Sequence, residues 1–134
     1  MSRVIILAVA LAMLSAPAAA RSKAAEYLVA EQIAEGCGGP GQIDPGAVIE
    51  RDLTGDGKAD LIISHEGMNC GNGKRSSFCG AQVCSVLIYI RREALLVLAR
   101  EMLGAGVTVS GGAIHMSAHG GKQGTIKWNG REFR

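Results

Sequence analysis

The order of hydrophobic and polar positions along the chain predicts one helix followed by short strands. Residues 23–35 are rich in good helix formers and carry an apolar stripe, and Gly36 is a natural stop. Residues 38–46 are rich in glycine and proline and are expected to form a linker. Residues 83–90 are dense in Val, Ile, Leu and Tyr, which predicts a strand buried on both faces. The predicted fold class is α+β and mostly β.

The remaining strands are predicted to form a small antiparallel sheet of hairpins. Short apolar runs at 47–51 and 61–65 flank a turn rich in glycine and aspartate. Residues 93–103 have the composition of a helix, but they lie between two predicted strands. We interpret them as a strand, because a meander is then the simplest topology. The mature chain is thus a single domain whose β-rich body spans residues 46–134.

Two hairpins near the C-terminus follow from the pairing of apolar residues. A two-residue Gly-Gly turn would place Val109 opposite Ile114, with the apolar side chains on one face. A two-residue Asn-Gly turn would place Trp128 opposite Arg131, and we expect these two side chains to stack.

The first twenty residues predict export. Arg3 gives a positive start, an apolar run of about 11 residues follows, and small residues precede a cleavage site near Ala20. The run is shorter than the roughly 20 residues needed to span a bilayer, so a signal peptide is favoured over an anchor. The mature chain, residues 21–134, is then periplasmic or secreted and carries no membrane span.

Composition excludes two classes of protein. Fourteen basic and 12 acidic residues give a net charge of only +2, which argues against a protein that grips nucleic acid through its phosphates. A hydrophobic share of 48% with 19% charged residues argues against a disordered chain. All 19 glycines lie after residue 20, at more than twice the usual share of about 7%. That content suits tight turns between short strands.

Four cysteines in an exported chain predict two disulfides. Of the three connectivities, we favour Cys79–Cys84 as a short clip across a turn, which leaves Cys37–Cys70. The alternative is a zinc site in which His65 joins the last three cysteines, but the spacing holds no C-x₂-C pair.

The segment 52–60 (DLTGDGKAD) carries the clearest chemistry. Calcium takes six to eight oxygen ligands, and Gly57 in the sixth place allows the sharp turn that brings them together. Without a cation, three clustered carboxylates would repel one another. The candidate ligands occupy the first, third, fifth, seventh and ninth places: Asp52, Thr54, Asp56, the backbone carbonyl of Lys58, and Asp60.

This segment resembles the calcium loops of FG-GAP/VCBS-type repeats, whose pattern is close to D-x-[DN]-G-D-G-x-x-D-[LIV]. The exit Asp60-Leu61-Ile62 matches that pattern, whereas Thr54 stands where the family has Asp or Asn. The resemblance implies a strand on each side of a structural calcium ion. A hydroxyl in place of a carboxylate predicts weak binding, with a dissociation constant of about 10⁻⁵ to 10⁻³ M. The alternative is a metal-free turn.

Two functions follow, from different classes. The first is a non-enzymatic calcium-binding module that engages an envelope or extracellular protein through its glycine-rich loops 66–80 and 118–124. The alternative is a small envelope hydrolase that uses His65 and Glu66, or His119, and needs two such groups within hydrogen-bond reach beside a pocket.

Overall fold

The computed structural model describes residues 21–134, so the predicted signal peptide lies outside the described residues. Within that range the chain folds into one α-helix and eight strands, with single turns of 3₁₀ helix at Pro45–Ala47 and His65–Gly67. The elements are α1 (Lys23–Cys37), β1 (Gly41–Ile43), β2 (Val48–Arg51), β3 (Asp60–Ser64), β4 (Met68–Cys70), β5 (Cys84–Arg92), β6 (Leu95–Ser110), β7 (Ala113–Ser117) and β8 (Gln123–Ile126). The mostly β, antiparallel architecture with one helix is confirmed.

The helix runs two residues further than the sequence predicts. Ser22 caps its N-terminus, and Gly38, in the left-handed conformation (φ 63°), caps its C-terminus. The predicted end at residue 35 is therefore wrong. Gly36 stays inside the helix, where an added Cβ would lie only 2.6 Å from Ser76 Oγ. The missing side chain at this position allows close packing and does not end the helix.

The main sheet has the order β2-β3-β5-β6-β7-β8, and β1 pairs with β4 in a separate two-stranded sheet. The segment 38–46 is consequently not a plain linker, because β1 lies within it and is paired residue by residue with β4. The Cys37–Cys70 disulfide holds the start of this segment beside the end of β4. The β-rich body therefore begins at Gly41, not at residue 46.

The central strands β3 and β5 are buried on both faces, as predicted for β5. Their alternate side chains enter two hydrophobic cores. The helix-side core consists of Ala25, Val29, Leu61, Ile63, Met68, Leu87 and Tyr89. The opposite core consists of Leu53, Ile62, Val86, Ile88, Ile114, Met116 and Phe133.

Strand β6 lies between β5 and β7 in the main sheet. Of residues 93–103, interpreted as a strand, residues 95–103 are confirmed, because they pair with β5 despite their helix-like composition. Residues 93–94 form the turn between β5 and β6. Gly104, the last residue of β6 paired with β5, is buried, and an added Cβ there would clash with Met116 Sδ. After Gly104 the second half of β6 pairs with β7, and the predicted pairing of Val109 with Ile114 is confirmed.

The last hairpin has a different register from the predicted one. Trp128 pairs with Phe133, and their rings lie 5.1 Å apart, so the predicted stacking of Trp128 on Arg131 is wrong. Asn129 Oδ1 accepts the backbone N–H groups of Arg131 and Glu132, both at 2.9 Å. This side-chain-to-backbone bonding closes a four-residue loop in place of a two-residue turn.

Both favoured disulfides, Cys37–Cys70 and Cys79–Cys84, are confirmed. Their sulfurs are therefore not available as thiolates, and the alternative zinc site is wrong. Disulfides of this kind are typical of an oxidising compartment. Among the described residues, no helix is both long enough and apolar enough to cross a membrane.

The two disulfides should differ in their contribution to stability. Cys37–Cys70 joins residues 33 positions apart and Cys79–Cys84 joins residues 5 apart. On the chain-entropy model the longer loop contributes about 3–4 kcal/mol and the shorter about 2 kcal/mol. Urea unfolding of the Cys37→Ser/Cys70→Ser and Cys79→Ser/Cys84→Ser variants should show the larger loss for the first pair. Equal losses, or the reverse order, would contradict this reading.

Candidate metal centre

The candidate metal centre lies in the loop between β2 and β3. These strands are antiparallel, and Arg51 pairs with Asp60, so the loop begins and ends at one point of the sheet. That closure brings together the side chains of Asp52, Asp56 and Asp60. One carboxylate oxygen from each lies within 4.8 Å of the others. The three aspartates predicted as ligands are thus clustered, and the group could hold a metal ion.

Asp60 ties the loop to the interior of the protein. Its side chain is fully buried. Oδ2 accepts the backbone N–H of Leu53 at 2.8 Å, and Oδ1 accepts that of Arg91 at 2.9 Å. The carboxylate therefore links the loop, the first residue of β3 and the end of β5. Each oxygen keeps a further lone pair that a cation could use.

Asp52 organises the turn itself. Its Oδ1 accepts the N–H groups of Thr54 (3.2 Å) and Gly55 (2.8 Å), and its Oδ2 accepts that of Gly57 (2.9 Å). These hydrogen bonds, that of Gly57 above all, hold the pKa of Asp52 below its ordinary value. Both glycines have φ near 80°, a conformation that other residues rarely adopt. The loop is therefore shaped around an ionised Asp52.

Thr54 and Asp56 are less completely satisfied. Thr54 Oγ1 is buried and has no hydrogen-bond partner among the described residues. An unpaired buried hydroxyl is unfavourable, by about 1–3 kcal/mol. Asp56 is exposed, and its Oδ1 accepts only the N–H of Lys58, at 2.9 Å. The predicted role of the Lys58 carbonyl as a ligand stays a prediction.

The guanidinium of Arg91, whose backbone N–H binds Asp60, forms no ion pair with the three aspartates. The Arg91 guanidinium donates to the carbonyl of Ala59 (3.1 Å) and to Ser22 Oγ (3.1 Å), and it forms an ion pair with Glu50 at 3.6 Å. The three aspartates therefore keep their mutual repulsion, which a bound divalent cation would relieve.

The groups proposed for a hydrolase are separated. The imidazole of His65 is buried, with Nδ1 2.7 Å from Ser76 Oγ and Nε2 2.8 Å from Gln32 Oε1. Glu66 lines a different cavity from His65, and its Oε2 accepts the N–H of Gly106 at 2.7 Å. His119 lies in the turn before β8.

Sequence reasoning missed the structural role of His65. Because Gln32 offers an oxygen to Nε2, that nitrogen carries the proton and Nδ1 accepts from the Ser76 hydroxyl. The ring also packs edge-on against Phe78, with centroids 5.0 Å apart. The two polar partners, Gln32 and Ser76, lie 33 and 11 residues away from His65 in the chain, so no local motif signals them.

In comparisons with known proteins, no family model, no curated protein and no solved structure matches this chain. Its function is therefore inferred from its own residues.

The burial of His65 should make the protein less stable in mild acid. Burial lowers the pKa of His65 below 6.5, and the charges of Glu101 and Glu35 only partly oppose this. Between that lowered pKa and 6.5 the unfolded chain binds a proton that the folded chain does not. The free energy of unfolding should therefore fall as the pH drops through 6.5.

Thermal unfolding of the wild type and of His65→Gln between pH 7.5 and 5 would check this expectation. The wild-type melting temperature should fall with pH, and the variant should lose much of that slope. His115→Gln, which removes a half-buried histidine on β7, is the matched control and should keep the wild-type slope. An unchanged slope in His65→Gln would contradict the assignment.

Proposed function

We propose that the protein is an exported calcium-binding domain that acts as a non-enzymatic binding module in the envelope or outside the cell. The cluster of Asp52, Asp56 and Asp60 is the observation that carries the metal site. The Thr54 hydroxyl in the same loop, which has no partner among the described residues, supports it. Calcium is the hard cation that accepts such a set of carboxylate and hydroxyl oxygens. The resemblance to FG-GAP/VCBS-type loops supports the same ion.

Calcium in this proposal is structural. Asp60 is already attached to β3 and β5, so an ion shared with Asp52 and Asp56 would fasten the exposed part of the loop to the sheet. The ion would also use the Thr54 hydroxyl, which otherwise stays unpaired. A Kd in the weak range is adequate outside the cytoplasm, where calcium is abundant.

Calcium should raise the melting temperature of the exported, oxidised protein selectively over magnesium. At a hundred times the dissociation constant the stabilisation is about 2.7 kcal/mol, or roughly 10 °C for a domain of this size. Asp56→Asn is the cleanest test, because Asp56 is exposed and bonds only within the loop. In EDTA the variant should be at least as stable as the wild type, because one of three repelling charges is gone. It should need at least about tenfold more calcium for the same rise in melting temperature.

Thr54 provides a matched pair of variants for the same experiment. Thr54→Val keeps the shape but removes the hydroxyl, so it should be at least as stable in EDTA and gain less from calcium. Thr54→Asp restores the carboxylate of the family pattern and should gain more. A flat calcium response in the wild type, with no difference among these variants, would reduce the segment to a metal-free turn.

The binding role is supported by a partly apolar surface next to loop 66–80, which carries one cysteine of each disulfide. Phe78, Leu98 and Leu103 are 40%, 47% and 60% exposed. Phe78 and Leu98 line one groove, together with the carboxylates of Glu35 and Glu101. Leu103 pairs with Ser85, which lines the same groove. Exposed apolar side chains beside acidic groups favour a protein partner with apolar and basic residues.

The two loops proposed for binding are joined in space. The backbone N–H of Gly120 donates to Gln82 Oε1 at 2.7 Å. Gln82 lies two residues after loop 66–80 and two before β5, so loop 118–124 is held close to the end of loop 66–80. A partner could therefore contact both loops at one time.

A pull-down from envelope extract tests the binding role. The immobilised wild type should retain a stoichiometric protein that the Phe78→Ser/Leu98→Ser/Leu103→Ser variant loses. Leu95→Ser is the matched control, because Leu95 is also exposed but lies at the far tip of the β5–β6 hairpin. Retention of nothing specific, or equal retention by all three proteins, would count against a binding module that uses this surface.

A further inference from the structure

A second cavity lies on the other side of the main sheet, away from the helix. It has a volume of about 290 Å³ and lies between the start of β2, the turn after β3 and the irregular part of β6 between Ala105 and Thr108. Ligand pockets commonly measure about 300–1,000 Å³, so this one suits a small group. Its lining residues are Asp44, Gly46, Ala47, Ile49, Ser64, Glu66, Gly67, Gly106 and Val107.

Ser64 is the residue that indicates a ligand. It is 4% exposed, and its Oγ has no hydrogen-bond partner within residues 21–134. Side chains alternate along β3, so Ser64 lies on the same face as Ile62, and Ile62 pairs with Ile49 of the cavity wall. The unpaired hydroxyl thus belongs to the side of the sheet that lines the cavity. Buried polar groups are normally hydrogen-bonded, so a hydroxyl without a partner in a residue that lines a cavity indicates a ligand that supplies one.

The charged lining residues of the cavity are acidic, which favours a cationic ligand. Asp44 and Glu66 are exposed at the cavity, and none of its described lining residues is basic. Glu66 Oε2 accepts the Gly106 N–H, which holds the carboxylate in place and leaves Oε1 free of any partner among the described residues. Asp44 Oδ1 is only weakly engaged, by Asn69 Nδ2 at 3.4 Å.

The walls distinguish an organic cation from a metal ion. Ala47, Ile49 and Val107 are apolar, and a hard metal ion prefers a complete shell of oxygens. A primary ammonium group has three N–H donors, which matches the three acceptors Asp44, Glu66 and Ser64. Its aliphatic stem would lie against the apolar walls, as buried lysine stems do.

We propose that this cavity binds a primary alkylammonium group, either a small free amine or the lysine side chain of a protein partner. The site is independent of the metal loop. It therefore goes beyond the proposed function, and its test does not depend on calcium.

The experiment is an NMR titration of the exported, oxidised, ¹⁵N-labelled protein with n-butylammonium and with Nα-acetyl-lysine methylamide. The backbone amides of Gly67 and Gly106 should shift saturably, in EDTA and in calcium alike. The Nζ-acetylated form of the lysine probe has lost its charge and should give no saturable shift. Lysine binding at least tenfold tighter than butylammonium identifies a partner's side chain as the ligand, and similar affinities identify a free amine.

Variants distinguish a specific amine-binding site from a general attraction of the amine to acidic groups. Glu66→Gln removes the charge while its amide oxygen still accepts the Gly106 N–H, and it should weaken binding by about tenfold or more. Asp44→Asn removes the charge of the second carboxylate, which lies before β2. Ser64→Ala should also weaken binding, whereas Ser85→Ala, a buried serine on the opposite face, should not.

The proposal is overturned by the absence of a saturable shift, by equal binding of the Nζ-acetylated probe, or by wild-type affinity in both Glu66→Gln and Asp44→Asn. Asp56→Asn should bind the amine as the wild type does. A failure of the calcium site therefore leaves this result unchanged, and the two proposals fail separately.

Discussion

The buried carboxylate of Asp60 is the interaction on which the arrangement around the candidate metal centre depends. It accepts one backbone N–H from the loop at Leu53 and one from the end of β5 at Arg91. A fully buried carboxylate is tolerated only where it is hydrogen-bonded or paired. Because its two oxygens hold two separate segments, the loop after β2 has a fixed position relative to the sheet. Asp52 then shapes the exposed turn around its own ionised oxygens.

The rest of the fold shows the same need for links beyond hydrophobic burial. Strands β3 and β5 contribute to both cores, but β1, β2, β4, β7 and β8 have only three to five residues each. A domain of this size buries a limited share of its surface, so covalent and metal links have a large effect. Cys37–Cys70 attaches the end of α1 to β4, and Cys79–Cys84 closes the loop that enters β5. The proposed calcium ion would do the same for the loop between β2 and β3.

The sequence was informative where a pattern is local. Apolar runs predicted the two central strands, turn residues and paired apolar positions predicted the Gly-Gly hairpin, and ligand spacing predicted the cluster of Asp52, Asp56 and Asp60. The strand at residues 95–103 was found only through topology, because its composition favours a helix and its pairing with β5 decides the outcome. Long-range contacts were not predictable in this way. The packing of Gly36 on Ser76, the partners of His65 and the unpaired hydroxyl of Ser64 each depend on residues far apart in the chain. The Asn129 side chain likewise changed the last hairpin from a two-residue turn to a four-residue loop.

The central claim is that a calcium ion completes the carboxylate cluster and fastens the loop to Asp60. Amide hydrogen exchange of Leu53 and Arg91, measured with and without millimolar calcium, tests it most directly, since these two N–H groups donate to the shared carboxylate. We predict that calcium slows the exchange of both amides severalfold and that Asp56→Asn removes most of this effect. Exchange rates that stay the same at millimolar calcium in the wild type would contradict it.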